Sequence, residues 1–238
     1  MAPVTAGPGS SQASAKTALV LAGAGESRRM LGVDKVFATL GGHPLLYWPL
    51  RAAQYCRAID RIVVLLSARH VEQGSSMVRQ YGFSKVTDVC AGGERRQDSV
   101  RIGLGRLSGC EWVIIQDAAR PFLDAALIEQ GLTAAGETGA ALAAVPVTDT
   151  IKVAHGDLTV ADTPDRTNLW TAQTPQVFRF DIIATAYRLE SKATDDASLV
   201  ERLGYQVKLY PGSYDNIKVT TPQDLELAEL ILKRRQCA

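Results

Sequence analysis

The chain has 238 residues, 46% hydrophobic and 21% charged, and its 26 lysines and arginines against 25 acids give a net charge of +1. That is ordinary globular composition with no global basic field, which argues against nucleic acid or an anionic membrane as partner and leaves anionic ligands to local cations. Cys56, Cys90, Cys110 and Cys237 are far apart with no C-x-x-C pair, as expected of free thiols in a reducing, cytoplasmic setting rather than a disulfide framework or zinc site.

Residues 1–16 are rich in Ala, Ser, Gly and Pro and lack an apolar h-region, so they read as a disordered tail. The remainder, 17–238, is long enough for one α/β domain with a single large core. Thr17 to Ala22 reads as a buried strand running straight into a glycine-rich loop. Arg61 to Leu66, Lys85 to Val89, Trp112 to Gln116 and Ala140 to Val147 read as further strands. Helices are expected at 43–57, 71–81, 98–107 and 124–135. Near-continuous apolar strands alternating with helices indicate a mostly parallel sheet covered on both faces. No apolar run, Ile62 to Leu66 included, is long enough to span a bilayer.

Residues 148–173 interrupt this rhythm with a polar excursion that includes the turn-like His155-Gly156-Asp157. Beyond it, Asp181 to Leu189 and Asp196 to Leu203 read as helices, the second closed by Gly204. Gln206 to Tyr210 and Ile217 to Val219 read as strands. Thr221-Pro222 supplies an N-cap and a first-turn proline for a last helix.

The loop Gly23-Ala24-Gly25-Glu26-Ser27-Arg28-Arg29-Met30 carries the most chemical information. Glycines directly after a first strand let backbone N–H groups approach a phosphate or base. The G-K-[ST] ending of a Walker loop is absent, and Arg28 stands where a dinucleotide fingerprint has its third glycine. A nicotinamide oxidoreductase is therefore disfavoured. The residues after the glycines are cationic instead, Arg28, Arg29 and Lys35, which suits a triphosphate whose bond is being broken. Read alone, the same loop could be a solvated turn with surface arginines.

Five further segments accompany this loop. They are Gly92-Gly93-Glu94-Arg95-Arg96-Gln97-Asp98-Ser99-Val100, Asp117-Ala118-Ala119-Arg120-Pro121, Thr174-Pro175-Gln176, Thr194-Asp195-Asp196-Ala197-Ser198 and Asp215-Asn216-Ile217-Lys218-Val219-Thr220. In unbroken order over about residues 17–235, they resemble the sugar-phosphate nucleotidyltransferases, and among them the 2-C-methyl-D-erythritol 4-phosphate cytidylyltransferase family of the non-mevalonate isoprenoid pathway. That family commonly has Ala-Ala-Gly and Pro-Lys where this chain has Gly23-Ala24-Gly25 and Asp34-Lys35. Two alternatives are a ribitol 5-phosphate cytidylyltransferase, whose motifs overlap heavily, and a molybdenum-cofactor nucleotidyltransferase, which D-A-A-R-P and D-N-I-K-V-T fit poorly.

The resemblance implies a single Rossmann-like three-layer α/β domain with a projecting β-arm, about residues 148–172, that interlocks with a second subunit in a homodimer. It implies transfer of CMP from CTP to 2-C-methyl-D-erythritol 4-phosphate with loss of pyrophosphate. Arg29 and Lys35 would stabilise the α-phosphate and leaving pyrophosphate; of Arg28 and Arg29, spacing from Met30 favours Arg29. Arg166 and Lys218 would hold the attacking phosphate, although alone they read as an ordinary loop arginine and an exposed strand lysine. The nucleotide would lie on Gly23, Ala24, Gly25, Gly93, Glu94, Ser99 and Asp117. Arg120, Thr150, Thr174 and Thr194 are candidates for the second substrate, though turn threonines often bond their own backbone.

Magnesium is the expected cofactor, because substrate phosphates and a few carboxylates suit it, with Asp117 and Asp215 as the carboxylates. Asp117 ends an apolar strand, where open α/β sheets bind ligands. Arg96 reads either as a phosphate ligand or as the cap of the helix beginning near Asp98, the second being preferred. His43, His70 and His155 form no triad and read as surface or turn residues. None is required, since a phosphate monoester is already largely dianionic at pH 7.

Overall fold

The computed structural model describes residues 16–25, 35–189 and 193–237; residues 1–15 of the tail expected at 1–16, and Arg28, Arg29 and Asp34, lie outside them. In chain order the elements are β1 (Thr17–Gly23), β2 (Thr39–Leu40), β3 (His43–Pro44), α1 (Tyr47–Tyr55), β4 (Arg61–Leu66), α2 (Val71–Tyr81), β5 (Val86–Ala91), α3 (Arg96–Gly105), β6 (Trp112–Asp117), α4 (Ala125–Thr138) and β7 (Ala140–Pro146). Next come β8 (Val153–Ala154), β9 (Val160–Asp162), β10 (Trp170–Arg179), α5 (Phe180–Ala186), α6 (Ala197–Glu201), β11 (Lys208–Pro211) and α7 (Pro222–Cys237).

Seven strands form one sheet in the order β11-β7-β10-β6-β1-β4-β5. Every neighbouring pair is parallel except those made by β10, which runs antiparallel to both β6 and β7. The chain leaves β1 toward β4 on one side and later returns to β6 on the other. The crevice at the carboxyl ends of β1 and β6 is therefore the switch point where such sheets bind ligands.

Period-two alternation along the central strands divides the core into two layers. Leu19, Leu21, Ile62 and Val64 pack toward Leu50 of α1, Met77 of α2 and Ile128 of α4. Ala18, Val20, Val63 and Leu65 pack toward Val100 of α3, Ile183 of α5 and Val200 of α6. A smaller cluster joins Leu40, Phe122 and Val219 to Ile231 and Leu232 of α7. No helix among the described residues is long and apolar enough to cross a membrane.

Several expectations need correction. The helix expected from residue 43 begins at Tyr47, because 39–44 form the short β2–β3 hairpin with Gly41 and Gly42 at its turn, both at positive φ. Ile217 to Val219 is not a strand: its main-chain tie to the rest of the fold is Val219 N–H donating to the Ala119 carbonyl at 2.8 Å. The ten-residue β10 has no counterpart among the expected strands. Its sequence, W-T-A-Q-T-P-Q-V-F-R, is polar with an internal proline, and the ladder to β7 shifts register between Ala172 and Gln176.

Within the excursion, β8 and β9 pair as an antiparallel hairpin exposed along its length, while Trp170 to Ala172 already belong to β10. His43 is half-buried beside the hairpin turn, where it stacks on Tyr47 at 4.2 Å and hydrogen-bonds the Tyr81 hydroxyl at 3.1 Å. His70 likewise bonds Ser67 Oγ through Nδ1 at 2.8 Å.

Candidate active site

β1 and β6 are in register, Ala22 beside Asp117, so the glycine loop and the strand-end acid emerge side by side. Gly23 is packed tightly: a Cβ there would lie 3.1 Å from Ala118 Cβ and from the Leu65 carbonyl. The 92–93 turn approaches from the next crossover. A Cβ on Gly92 would lie 2.4 Å from Ala24 Cβ and 2.6 Å from Ser99 Oγ, and one on Gly93 would lie 2.4 Å from Asp98 Cβ. Buried Ser99 fixes that turn, its hydroxyl accepting from Gly93 N–H at 3.1 Å. Between these loops is a small pocket lined by Gly23, Ala24, Gly25, Lys35, Asp117 and Lys218, together with Arg96 and Ser99. Glu94 is exposed on the rim of the turn.

Asp117 is the electrostatic centre. Its Oδ1 accepts from Arg96 Nε at 2.8 Å, and its Oδ2 lies 2.8 Å from Lys218 Nζ and 3.8 Å from Arg120 Nε. Burial opposes ionisation of Asp117, but Arg96 and Lys218 override it and hold the carboxyl well below the usual carboxylate range. Burial likewise opposes the charge on Arg96, and Asp196 and Asp117 override that too, so its guanidinium binds its proton more tightly than usual. Arg96 is thus not the helix cap. Asp98 caps α3 instead, accepting the Arg95 N–H at 3.3 Å, while Arg96 spans Asp117 and, at 2.8 Å, Asp196.

The six motifs converge on this point. Asp117 N–H donates to Thr174 Oγ1 at 3.1 Å, and Asn216 Nδ2 to the Thr174 carbonyl at 2.8 Å. Arg120 Nη1 donates to the Asn216 carbonyl at 2.6 Å, which turns that arginine into the protein. Gln176 bonds Asp195 at 3.0 Å and accepts the Ala197 N–H at 3.1 Å. Thr174 is accordingly buried and occupied as a positioning group for β6. Thr194 is exposed at the mouth of a neighbouring cavity that Arg96 also lines.

The other site candidates stand apart from this pocket. Asp215 pairs with Arg234 of α7 at 2.5 Å. Thr150 and Arg166 are exposed at the base of the arm, where the Arg166 guanidinium donates to the Thr148 carbonyl. Among the described residues no group of three His, Cys, Asp or Glu could hold a metal ion. Sequence reasoning missed the roles of Arg96 and Asp196; both lie inside recognisable motifs, but nothing local shows that they pair.

The family model described as 2-C-methyl-D-erythritol 4-phosphate cytidylyltransferase matches residues 17–234. The 2-C-methyl-D-erythritol 4-phosphate cytidylyltransferase of Dehalococcoides mccartyi is 49% identical over 220 residues, 92% of this chain and 97% of that protein. That of Alkaliphilus oremlandii is 42% identical over 228 residues, covering 93% and 97%. The crystal structure of 4-diphosphocytidyl-2C-methyl-D-erythritol synthase from Anaerococcus prevotii superposes with a TM-score of 0.83 at 27% identity, covering 93% of this chain and all of that one. With its motifs gathered at the carboxyl ends of the central strands and the match running through almost its whole length, this chain belongs to the 2-C-methyl-D-erythritol 4-phosphate cytidylyltransferase family.

Proposed function

We propose that the chain transfers the CMP unit of CTP to 2-C-methyl-D-erythritol 4-phosphate and releases pyrophosphate. The observation that carries this reading is the clustering of Lys35, Arg96 and Lys218 around ionised Asp117, beside a glycine loop at the sheet's switch point. A phosphate monoester oxygen attacks the α-phosphorus of CTP, a new P–O bond forms, and the bond to the bridging oxygen breaks to free pyrophosphate. The attacking group is already largely dianionic, so no general base is needed. None of the three histidines lines the pocket. The obstacle is repulsion between a dianion and a triphosphate, a problem of positioning and charge.

In this reading Arg29 and Lys35 stabilise the α-phosphate and the leaving group, and Lys218 with Arg166 holds the attacking phosphate. Gly23, Ala24, Gly25, Gly93, Glu94, Ser99 and Asp117 receive the nucleotide. The tight contact of Gly92 with Ala24 supports recognition of the small cytosine base by main-chain groups. Arg120 and Thr174, already engaged by the protein, support the second substrate indirectly, and Thr150 and Thr194 are the exposed hydroxyls available to it.

Magnesium fits this site as an ion brought with the triphosphate. Its usual shell is one or two carboxylates plus phosphates and water, and Asp117 is a carboxylate kept ionised by its neighbours. Asp215 would have to leave Arg234 to join it. When bound, the ion would help neutralise the charge on the phosphates. We also read the chain as a homodimer through the arm, which exposes Val153, Leu158 and Val160. Its free cysteines support a reducing, cytoplasmic setting.

The test is pyrophosphate release measured with each of the four nucleoside triphosphates against a panel of sugar-alcohol phosphates. Release is expected with CTP, magnesium and the methylerythritol phosphate together, and chelation should abolish it. Equal turnover of ribitol 5-phosphate would overturn the substrate assignment.

A further inference from the structure

Asp196 has no part in the proposed chemistry, yet it is an acidic side chain only 1% exposed. A single file of contacts runs through it. The Tyr187 hydroxyl donates to Asp196 Oδ1, and Asp196 Oδ2 lies 2.8 Å from Arg96 Nη1. Arg96 Nε then meets Asp117 Oδ1, and Asp117 Oδ2 meets Lys218 Nζ, each at 2.8 Å. Asp196 gives one oxygen to Tyr187 and the other to Arg96, and Asp117 gives one to Arg96 and the other to Lys218, with Arg120 Nε farther off at 3.8 Å on that same oxygen. Gln176 fixes the backbone around Asp196 by holding Asp195 and the Ala197 N–H.

A carboxylate shared by two cations can rotate, or be taken by one of them. Arg96 and Lys218 are the partly exposed members of the file, at 28% and 37%, so each has an alternative in solvent. Asp196 removes that alternative for Arg96. With Arg96 fixed on Oδ1, Lys218 is held on Oδ2 at 2.8 Å, at the point where its side chain also lines the pocket. We propose that Asp196, oriented by Tyr187, is a positioning residue for the transfer: it pins Arg96 on Asp117 and so sets where Lys218 meets the attacking phosphate. This rests on the proposed role of Lys218 in holding that phosphate.

A double-mutant cycle tests it, using the full chain at saturating CTP. Tyr187→Phe removes one hydroxyl and keeps the ring, and should lower kcat/KM for the sugar phosphate about tenfold, chiefly through KM. Asp196→Asn should do more, and Asp196→Glu should recover part of that loss. In a Lys218→Gln background, Tyr187→Phe should have no further effect, because the end of the file is gone. Equal fractional losses in both backgrounds, or no loss from Tyr187→Phe in the native background, would overturn the proposal while leaving the role of Lys218 intact. An unchanged KM for the sugar phosphate in Lys218→Gln alone would remove that role, and this proposal with it.

Discussion

Gly92 and Ala24 meet so closely that a methyl group on the glycine would sit 2.4 Å from the alanine Cβ, closer than any real pair of such atoms. The contact locks the 92–93 turn onto the loop after β1. Gly92→Ala should therefore cost about 1–3 kcal/mol of stability and weaken CTP binding with it. Gly25 is the control, since a Cβ there meets nothing within 4 Å. Gly25→Ala should leave the unfolding midpoint unchanged and reduce CTP affinity alone. Denaturant unfolding and nucleotide titration on both variants separate a glycine needed by the fold from one needed by the ligand.

Asp117 faces three cations from inside the protein, with Arg96 and Lys218 in direct contact and Arg120 at 3.8 Å. Replacing it with asparagine leaves Arg96 facing Asp196 alone and Lys218 without its counter-ion. Breaking one side of a buried charged cluster typically costs about 3–5 kcal/mol. Because Arg96 and Lys218 both retain some solvent access, the lower end applies, about 3 kcal/mol by urea unfolding. A loss below about 0.5 kcal/mol would mean that the cluster contributes no net stability.

The same residue sets a pH dependence whose sign is fixed. Its folded carboxyl titrates below the unfolded value of about 3.9. The stabilisation is therefore complete above the unfolded value and lost as pH falls through the folded one. The stability difference between the native chain and Asp117→Asn should be flat from pH 7 to about 5 and shrink below about pH 4. A difference that grew on acidification would contradict an ionised Asp117.

Lys35 opens the segment that returns from the glycine loop, and it lines the same pocket as Asp117. A unit charge about 4 Å from a phosphate oxygen is worth roughly 4 kcal/mol at an effective dielectric near 20. Lys35→Ala should lower kcat by about 10²–10³-fold with the fold intact, and Arg29→Ala by a similar factor. Circular dichroism with steady-state pyrophosphate release checks both; unchanged turnover in both variants would remove their assigned roles.

Structure is legible in this sequence where its signals are local. β1, β4 and β6 can be read because each is a run of apolar residues buried on both faces, and the Gly23 loop because glycines and arginines come directly after a strand. β10 cannot, because its buried Gln173, Thr174 and Gln176 are there to bond other motifs rather than to fill the core. Polar residues with long-range partners carry no periodic signature. Arg96 shows the same limit: next to Asp98 it looks like a cap, and only the approach of β6 and Asp196 gives it its partners. The segment around Lys218 alternates like a strand, yet its side chains are ordered by Asp117 and the cluster on α7 rather than by a ladder.

The arm is where the isolated chain exposes apolar surface without using it. Leu158 is 87% exposed at positive φ in the β8–β9 turn, and Val160 and Val153 lie beside it on the strands. A two-stranded hairpin this short is at best marginal alone in water, and in the homodimer proposed above a partner surface would supply its order. Leu158 and Val160 lie outside the proposed reaction pocket, so Leu158→Asp with Val160→Asp should shift the proposed dimer to monomer in sedimentation without disturbing the core. If the neighbour's arm brings Arg166 to the attacking phosphate, the monomer should also lose kcat/KM for the sugar phosphate while still binding CTP. A monomeric variant with full activity would confine the arm to assembly, and a native chain that sediments as a monomer would remove the dimer.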